Sequence, residues 1–434
     1  MIIKGGTLID TIKDTTYRAD IVIRDGKIAK IIPQADADAS ADPSVSDNDI
    51  LDATGLYIAP GMADTHVHFR DPGFEYKEDI ESGAKAAAAG GYTQIVLMAN
   101  TNPHVDNKET LSYVIEKGKK TPIHINTCAN VTRNMAGKEL TDMESLKNWG
   151  AVGFTDDGVP ILNEELCLEA MKKCAELDVP ISFHEENPAF IDNNGINRGR
   201  ASEHFNIGGS PREAEIDLIK RDIELGFRCV KEYGLNPKLV IQHISTREGV
   251  AMVRDAKKRG LNIHAEATPH HFTLTEEAVI EHGTLAKMNP PLRTLSDKQA
   301  IKVGLMDGTI DLIATDHAPH ADYEKNKPLT EAPSGIIGLE TALSLAIEEL
   351  INPGFLTYPQ LFNRISLAPC RLYGLEGGSI EETLNADLVI FDPKATRVAG
   401  DFKSKSSNSP FKGKIMQGVI KHTICGGKIV YSNT

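Results

Sequence analysis

Two histidines stand two residues apart in His66-Val67-His68. On extended chain, side chains at i and i+2 share one face, so both imidazoles can meet a single cation. Further along, Asp156-Asp157, His184, His243 and Asp316 each close a short apolar run. Neutral imidazoles and carboxylates are donors that suit zinc. Four histidines and two carboxylates, brought together, could hold two divalent ions with one carboxylate bridging. Ions about 3.5–4 Å apart can share a hydroxide, polarise a carbonyl and clamp a developing oxyanion, which suits hydrolysis of an amide-like bond. That chemistry needs an acid beside the hydroxide to carry its proton to the leaving nitrogen, and Asp316 is the candidate. Arg70, just past the histidine pair, offers a planar fork for a carboxylate. Asn100 ends the second predicted barrel strand and His320 follows Asp316 by four residues, so both could reach the same place.

Taken singly, each residue has an ordinary explanation. His184 and His243 could be satisfied strand-end histidines, Asp156 or Asp157 could cap the turn before Gly158, and Asp316 could be a helix N-cap. Arg70 could be a surface or salt-bridged arginine. The coincidence of all of them at strand ends favours the metal reading. His104, His124, His204, His282 and His422 read as surface or packing residues, and His264 lies inside a strand. His270-His271 is the strongest rival for a ligand or substrate role. Alternation alone leaves Asp156 and Asp157 equivalent.

The elements that must position these side chains are βα units. From residue 56 to about 370, β-branched runs at 61–66, 93–99, 123–128, 151–155, 179–184, 239–244, 262–267 and 312–315 alternate with helical stretches at 77–89, 108–117, 164–177, 214–232 and 247–258. Eight such strands predict an α/β fold with a (β/α)8 TIM-like barrel, whose carboxyl-terminal strand ends share one mouth. A doubly wound sheet is the runner-up, but no GxGxxG or GxxxxGK[ST] follows any of these strands. Both chain ends are strand-rich, with Asp25-Gly26 as a hairpin turn, predicted strands at 386–391, 413–420 and 423–431, and Gly426-Gly427 as a turn. Neither end can bury a face alone. The prediction is a small β-sandwich domain from residues 1–57 and 372–434 beside a barrel at 58–371. Residues 35–49 read as a mobile surface loop, and 403–414 as an exposed polar stretch.

The chain has 434 residues, 41% hydrophobic and 25% charged, which fits an ordinary globular protein and excludes disordered or coiled-coil chains. No run approaches the ~18 apolar residues of a membrane span, and the first residues lack the marks of a signal peptide. Six scattered cysteines without CxxC pairs fit reduced thiols in a cytoplasm. A net charge of −14 argues against nucleic acid as the main partner.

The segments DTHVHFRDPGFEYKEDI, GGYTQIVLMANTNP, GFTDDGVP, QHISTREGV, ATPHH, KMNPPLR, DGTIDLIATDHAPH and SGIIGLETA together resemble the dihydroorotase family of the amidohydrolase superfamily, over essentially the whole chain. The resemblance implies hydrolysis of L-dihydroorotate to N-carbamoyl-L-aspartate, with the reverse cyclisation in pyrimidine synthesis. It implies two zinc ions, one held by His66, His68 and Asp316 and the other by His184 and His243, with Asp157 bridging in place of a carboxylated lysine. Arg70, Asn100 and His320 match positions that hold the substrate carboxylate, His68 is counted with them, and Asn289, Ser334 and Gly335 match positions facing the pyrimidine ring. Three departures stand out: MANT for MPNT, SFHEE for the commoner HCE, and Ser334 where phenylalanine is common. A small-molecule substrate and a homo-oligomer are expected, with aspartate carbamoyltransferase as a candidate partner. Two alternatives are another cyclic amidase of allantoinase or hydantoinase type, and an inactive scaffold for that carbamoyltransferase.

Overall fold

Strand alternation sorts the chain into a barrel with two distinct faces. In the computed structural model, which describes residues 1–33 and 50–433, the barrel strands are β6 (Met62–Val67), β7 (Tyr92–Leu97), β8 (His124–Thr127), β9 (Phe154–Thr155), β10 (Ile181–Phe183), β11 (Leu239–Ile241), β12 (Ile263–Ala267) and β13 (Leu312–Ile313). They pair in parallel as β6-β7-β8 and as β9 through β13. Parallel bridges Ala129–Phe154 and Val67–His317 join the two sets into a ring. Ile95 and Leu97 of β7 pack outward with the helices, whereas Val96 and Met98 join Val240 and Leu312 in an inner cluster. Leu372 and Tyr373, from the helix Ala368–Tyr373, pack into the same inner cluster. The interior is therefore a filled core, and the polar side chains emerge where that core ends.

Both chain ends build one eight-stranded sheet. Its strands are β1 (Ile2–Asp10), β2 (Thr15–Arg24), β3 (Lys27–Pro33), β4 (Ile50–Asp52), β5 (Tyr57–Pro60), β14 (Leu388–Val398), β15 (Ile415–Cys425) and β16 (Lys428–Ser432), ordered β16-β15-β14-β5-β1-β2-β3 with β4 also on β1. The first half of β1 pairs with β4 and its second half with β5, with an irregularity between Ile3 and Gly6. The sheet bends there and closes over Ile3, Leu8, Ile21, Ile58, Leu388 and Ile390. This is the expected small β-sandwich domain beside a TIM-like barrel. Among the described residues no helix is long and apolar enough to cross a membrane.

Several expectations need correction. The runs expected at 413–420 and 423–431 form two strands, but the break between them lies at the expected Gly426-Gly427 turn and not at 421–422. β15 runs on through 421–422 until Gly426-Gly427 turns the chain into β16. The strand expected at 151–155 keeps only two paired residues. The helix expected from residue 77 starts at Ile80, because Asp79 accepts the Ser82 amide as its N-cap. The stretch 403–414 is not simply exposed: Ser404, Ser406, Asn408, Ser409 and Phe411 are buried. Its hydroxyl and amide groups serve buried partners, with Ser404 Oγ on Glu78 and Asn408 on the loop after β13. The surface loop expected at 35–49 lies outside the described residues.

Candidate metal centre and substrate pocket

Inward-facing strand positions carry the polar cluster. Asp64 and His66 on β6 and His68 just past its end alternate with the outward-packed Val67, and all three are buried. Asp64 accepts the His66 amide (3.1 Å) and both the amide and hydroxyl of Thr315 (3.1 and 2.5 Å). It thereby ties the first strand to the last, beside Asp316. Burial pushes its carboxyl up to about 7. On β9 Phe154 packs outward, so Thr155 and Asp157 turn inward. The Asp156 carboxylate instead accepts from the Val131 amide (2.9 Å), the Thr132 amide and the Thr132 hydroxyl. Asp156 thus holds a loop, while Asp157 lies among the histidines.

The cluster is close enough to share cations. His66 Nε2 lies 3.4 Å from Asp157 Oδ1 and 3.6 Å from Asp316 Oδ1. His68 Nε2 lies 3.0 Å from Asp316 Oδ1 and 3.5 Å from Asp157 Oδ2. His184 Nδ1 and His243 Nε2 stand 3.0 Å apart, at 3.7 and 3.9 Å from Asp157 Oδ1. Three triplets have all donor atoms within 4.8 Å: His66, His68 and Asp157; Asp157, His184 and His243; and His66, His243 and Asp316. The first two share only Asp157.

The donor set fits a cation. His66 Nδ1 lies 2.9 Å from the buried Glu266 carboxylate, which makes Nδ1 the protonated nitrogen. Nε2 faces the Asp157 and Asp316 carboxylates in a buried space. Burial lowers the His66 pKa, but Asp316, Asp157 and Glu266 outweigh it and hold it well above its ordinary value, so these groups attract a positive charge that a metal ion could supply in place of the proton. Opposing fields act on the imidazoles. Burial lowers the His184 pKa, but Asp157 and Glu186 outweigh it and push the ring up to about 10. Burial together with His184 and His66 holds His243 well below its ordinary value.

A second group of residues lines the neighbouring loops. Arg70 Nε donates to Pro319 O (3.3 Å), and its Nη2 lies 3.4 Å from His320 Nε2. His320 Nε2 donates to Ser334 O (2.9 Å), which leaves Nδ1 unprotonated to accept from Lys77 Nζ (3.4 Å). Burial, then Arg70, Lys77 and Lys325, keep this ring neutral far below its usual range. The Gly335 amide donates to Lys287 O (2.9 Å), so Ser334 and Gly335 lie beside the loop segment that carries Asn289. Asn289 Oδ1 is buried without a partner. Asn100 is committed to the metal cluster, with Oδ1 3.1 Å from His68 Nδ1 and Nδ2 donating to Asp157 Oδ2 (3.1 Å). The rival pair stays outside the triplets: His271 is held by Thr268 Oγ1 (2.8 Å) and Pro290 O (3.0 Å), and His270 is buried beside it.

Comparison with known proteins follows from this geometry. The family model described as Dihydro-orotase-like matches residues 55–248. The chain is 49% identical over 432 residues to a dihydroorotase of Clostridioides difficile, covering 100% of each chain. It is 48% identical to a dihydroorotase of Clostridium acetobutylicum, again over 100% of each. This chain belongs to the dihydroorotase family. Among solved structures, an L-hydantoinase (dihydropyrimidinase) from Arthrobacter aurescens aligns with a TM-score of 0.85 at 24% identity, covering 99% of this chain and 96% of that one. A dihydropyrimidinase from Brevibacillus agri aligns with a TM-score of 0.84 at 22% identity, covering 100% and 95%. At that identity the likeness shows the shared fold.

This dihydroorotase-family chain also uses residues that sequence reasoning passed over. Glu266, inward on β12, accepts from Thr65 Oγ1 (3.1 Å) as well as pairing with His66. Glu186 Oε2 lies 3.2 Å from His184 Nε2, and its other oxygen accepts from Ser210 Oγ. Gly195 has φ +78°, and a Cβ there would stand 2.2 Å from Ser334 Oγ and 2.8 Å from Asn289 Oδ1. Asn408 accepts the His320 amide (3.0 Å) and donates to Ala318 O and Gly335 O (3.0 Å each). A carboxylate inside a barrel strand was a usable signal for Glu266. Gly195 and Asn408 act through contacts between distant segments, and local sequence carries no sign of them.

Proposed function

We propose that this chain hydrolyses L-dihydroorotate to N-carbamoyl-L-aspartate and catalyses the reverse cyclisation, serving pyrimidine synthesis. One observation carries the reading: two His-rich triplets sharing Asp157 lie at the barrel mouth, with the Arg70–His320 pair beside them. In this reading His66, His68 and Asp316 would hold one zinc ion and His184 and His243 another, with Asp157 available to both. When bound, the ions would polarise the ring amide carbonyl and make the attacking water more acidic. Glu266 and Glu186 engage His66 Nδ1 and His184 Nε2, which leaves His66 Nε2 and His184 Nδ1 as the nitrogens that would meet a cation.

The chain's own residues do the remaining work. Arg70 pairs its guanidinium fork with the substrate carboxylate. His320, kept neutral, adds no competing charge; it donates through Nε2 to Ser334 O and accepts at Nδ1 from Lys77 Nζ (3.4 Å), so it braces the wall beside Arg70. Asn289 Oδ1, buried without a partner, is left to accept from a ring N–H, while Ser334 O, Gly335 O and the Gly335 amide are engaged by His320, Asn408 and Lys287 and shape the wall beside it. Asp316 receives a proton from the attacking water at a carboxylate oxygen. It then delivers that proton to the ring nitrogen as the amide C–N bond breaks, leaving a new carboxylate and a ureido group.

The test is a dihydroorotate assay on purified protein with Arg70→Met beside it. Turnover that Arg70→Met abolishes supports the reading. Turnover of a neutral hydantoin but not dihydroorotate would overturn it in favour of another cyclic amidase.

A further inference from the structure

Far from the barrel mouth, three donors of a different chemistry converge. His124 opens β8 at the amino-terminal end of the barrel, Asp387 immediately precedes β14, and Cys425 closes β15. Their donor atoms all lie within 4.8 Å of one another, and among the described residues they form the one such group outside the mouth. His124 Nε2 is 3.0 Å from Asp387 Oδ2. The other oxygen, Oδ1, accepts the Gly426 amide at 2.7 Å, which aims the carboxylate. Donors bound tetrahedrally to zinc at 2.0–2.3 Å lie roughly 3.3–3.8 Å apart, so small rotations would bring the three into coordination.

A histidine–aspartate ion pair explains two of these residues. The Cys425 thiol joins them by donating to the Asp387 carboxylate, a proton that a bound cation would displace, and a cavity opens beside the three. That cavity, about 510 Å³, is lined by His124, Cys425, Asn126, Thr121 and Lys428 among others. It would admit an ion and leave its fourth position to water. The His124 side chain is 41% exposed and that of Asp387 3%, so one ligand reaches solvent while another is anchored. Glu376 adds a second negative charge near His124, against Lys119 and Lys428 on the cavity wall. One thiolate, one imidazole and one carboxylate select a borderline-soft dication over magnesium or calcium.

We propose that His124, Asp387 and Cys425 form an accessory zinc site that clamps the base of the barrel to the terminal sheet. Binding forms an S–Zn bond and releases the thiol proton to solvent, with no change of oxidation state. The site is independent of the mouth, whose donors include no sulfur.

Cobalt(II) titrated into metal-stripped, full-length protein tests this, because only a thiolate ligand gives an intense sulfur-to-cobalt charge-transfer band. The expected result is a band saturating at one equivalent, absent in Cys425→Ser, with cobalt affinity at that band weakened at least about tenfold in His124→Gln. Bound zinc in Cys425→Ser should fall by one equivalent relative to the parent protein. No band in the parent, a band surviving Cys425→Ser, or unchanged affinity in His124→Gln would each overturn the proposal. Circular dichroism on His124→Gln, a change at a half-exposed side chain, guards against misfolding. Failure of the mouth to bind metal would leave the band untouched, so the two readings fail separately.

Discussion

Replacing Glu266 by alanine should loosen both the metal centre and the fold that carries it. The side chain is fully buried and accepts twice, from Thr65 Oγ1 at 3.1 Å and at 2.9 Å from His66 Nδ1. A buried donor left without an acceptor costs about 1–3 kcal/mol, so two orphaned donors cost roughly 2–6 kcal/mol in metal-free protein. Water entering the vacated space pulls the value toward the lower end. A ligating histidine that loses its outer partner typically weakens metal binding 10–100-fold, or about 1.4–2.8 kcal/mol. Glu266→Gln keeps an acceptor oxygen without the charge and should fall between the two. Urea unfolding in the presence of a chelator reads the first quantity, and competition against a chelator of known affinity reads the second. If Glu266→Ala holds zinc as tightly as the parent and unfolds within about 0.5 kcal/mol of it, the orienting role assigned to Glu266 is wrong.

Other substitutions probe the pocket and the frame. Gly195→Ala should reduce kcat/KM at least about tenfold while metal content stays at parent level, since its Cβ would displace Ser334 and Asn289; unchanged kinetics would remove that loop from the pocket. Arg70→Met loses a buried charge pair with the substrate, a cost of about 2–5 kcal/mol, so kcat/KM should fall by roughly 30- to several-thousand-fold, and a loss below tenfold would contradict the assignment. Asn408→Ala frees three hydrogen bonds at the loop carrying His320 and Gly335. It should raise KM for dihydroorotate and increase amide exchange across residues 318–335. Burial pushes Glu340 from 4.5 up to about 7. Between those values the folded state binds the extra proton, so stability falls as pH rises, by up to about 3 kcal/mol in total. The difference in unfolding free energy between the parent and Glu340→Gln should therefore change between pH 4 and pH 8, and a constant difference would refute the shift.

Much of the site was legible because barrel geometry converts chain position into spatial position. His66, His68, His184, His243 and Asp316 stand at strand ends, and a closed parallel ring sends all such ends to one mouth. The choice between Asp156 and Asp157 was not legible, because it turns on Phe154 packing outward and on Asp156 accepting from the Val131 and Thr132 amides, contacts that only the folded chain reveals. The tail at 403–414 misled because serine, asparagine and lysine look like solvent-facing residues. Here they supply the hydrogen bonds that a buried turn needs, and the partners lie far off in sequence, with His320 88 residues from Asn408. Composition reports what a segment can bond to, and tertiary structure decides whether water or protein supplies the partner.

The backbone shows how the centre is held. Arg70, His243 and Asp316 have φ of 59°, 32° and 46°, a region that non-glycine residues avoid. Each sits where a barrel strand gives way to its loop, and each carries a side chain assigned to metal or substrate. A regular strand would send successive side chains alternately in and out, so an extra inward group at a strand end requires the chain to leave strand geometry. Strain of this kind costs of order 1–3 kcal/mol per residue and persists only where the surroundings over-determine it. The surroundings here include Asp64 bridging β6 to Thr315, the His68 amide on His317 O (3.0 Å), and the apolar ring beneath them. Relaxing any one of these ties should therefore loosen donor geometry before it unfolds the barrel, so impaired metal binding would precede loss of secondary structure.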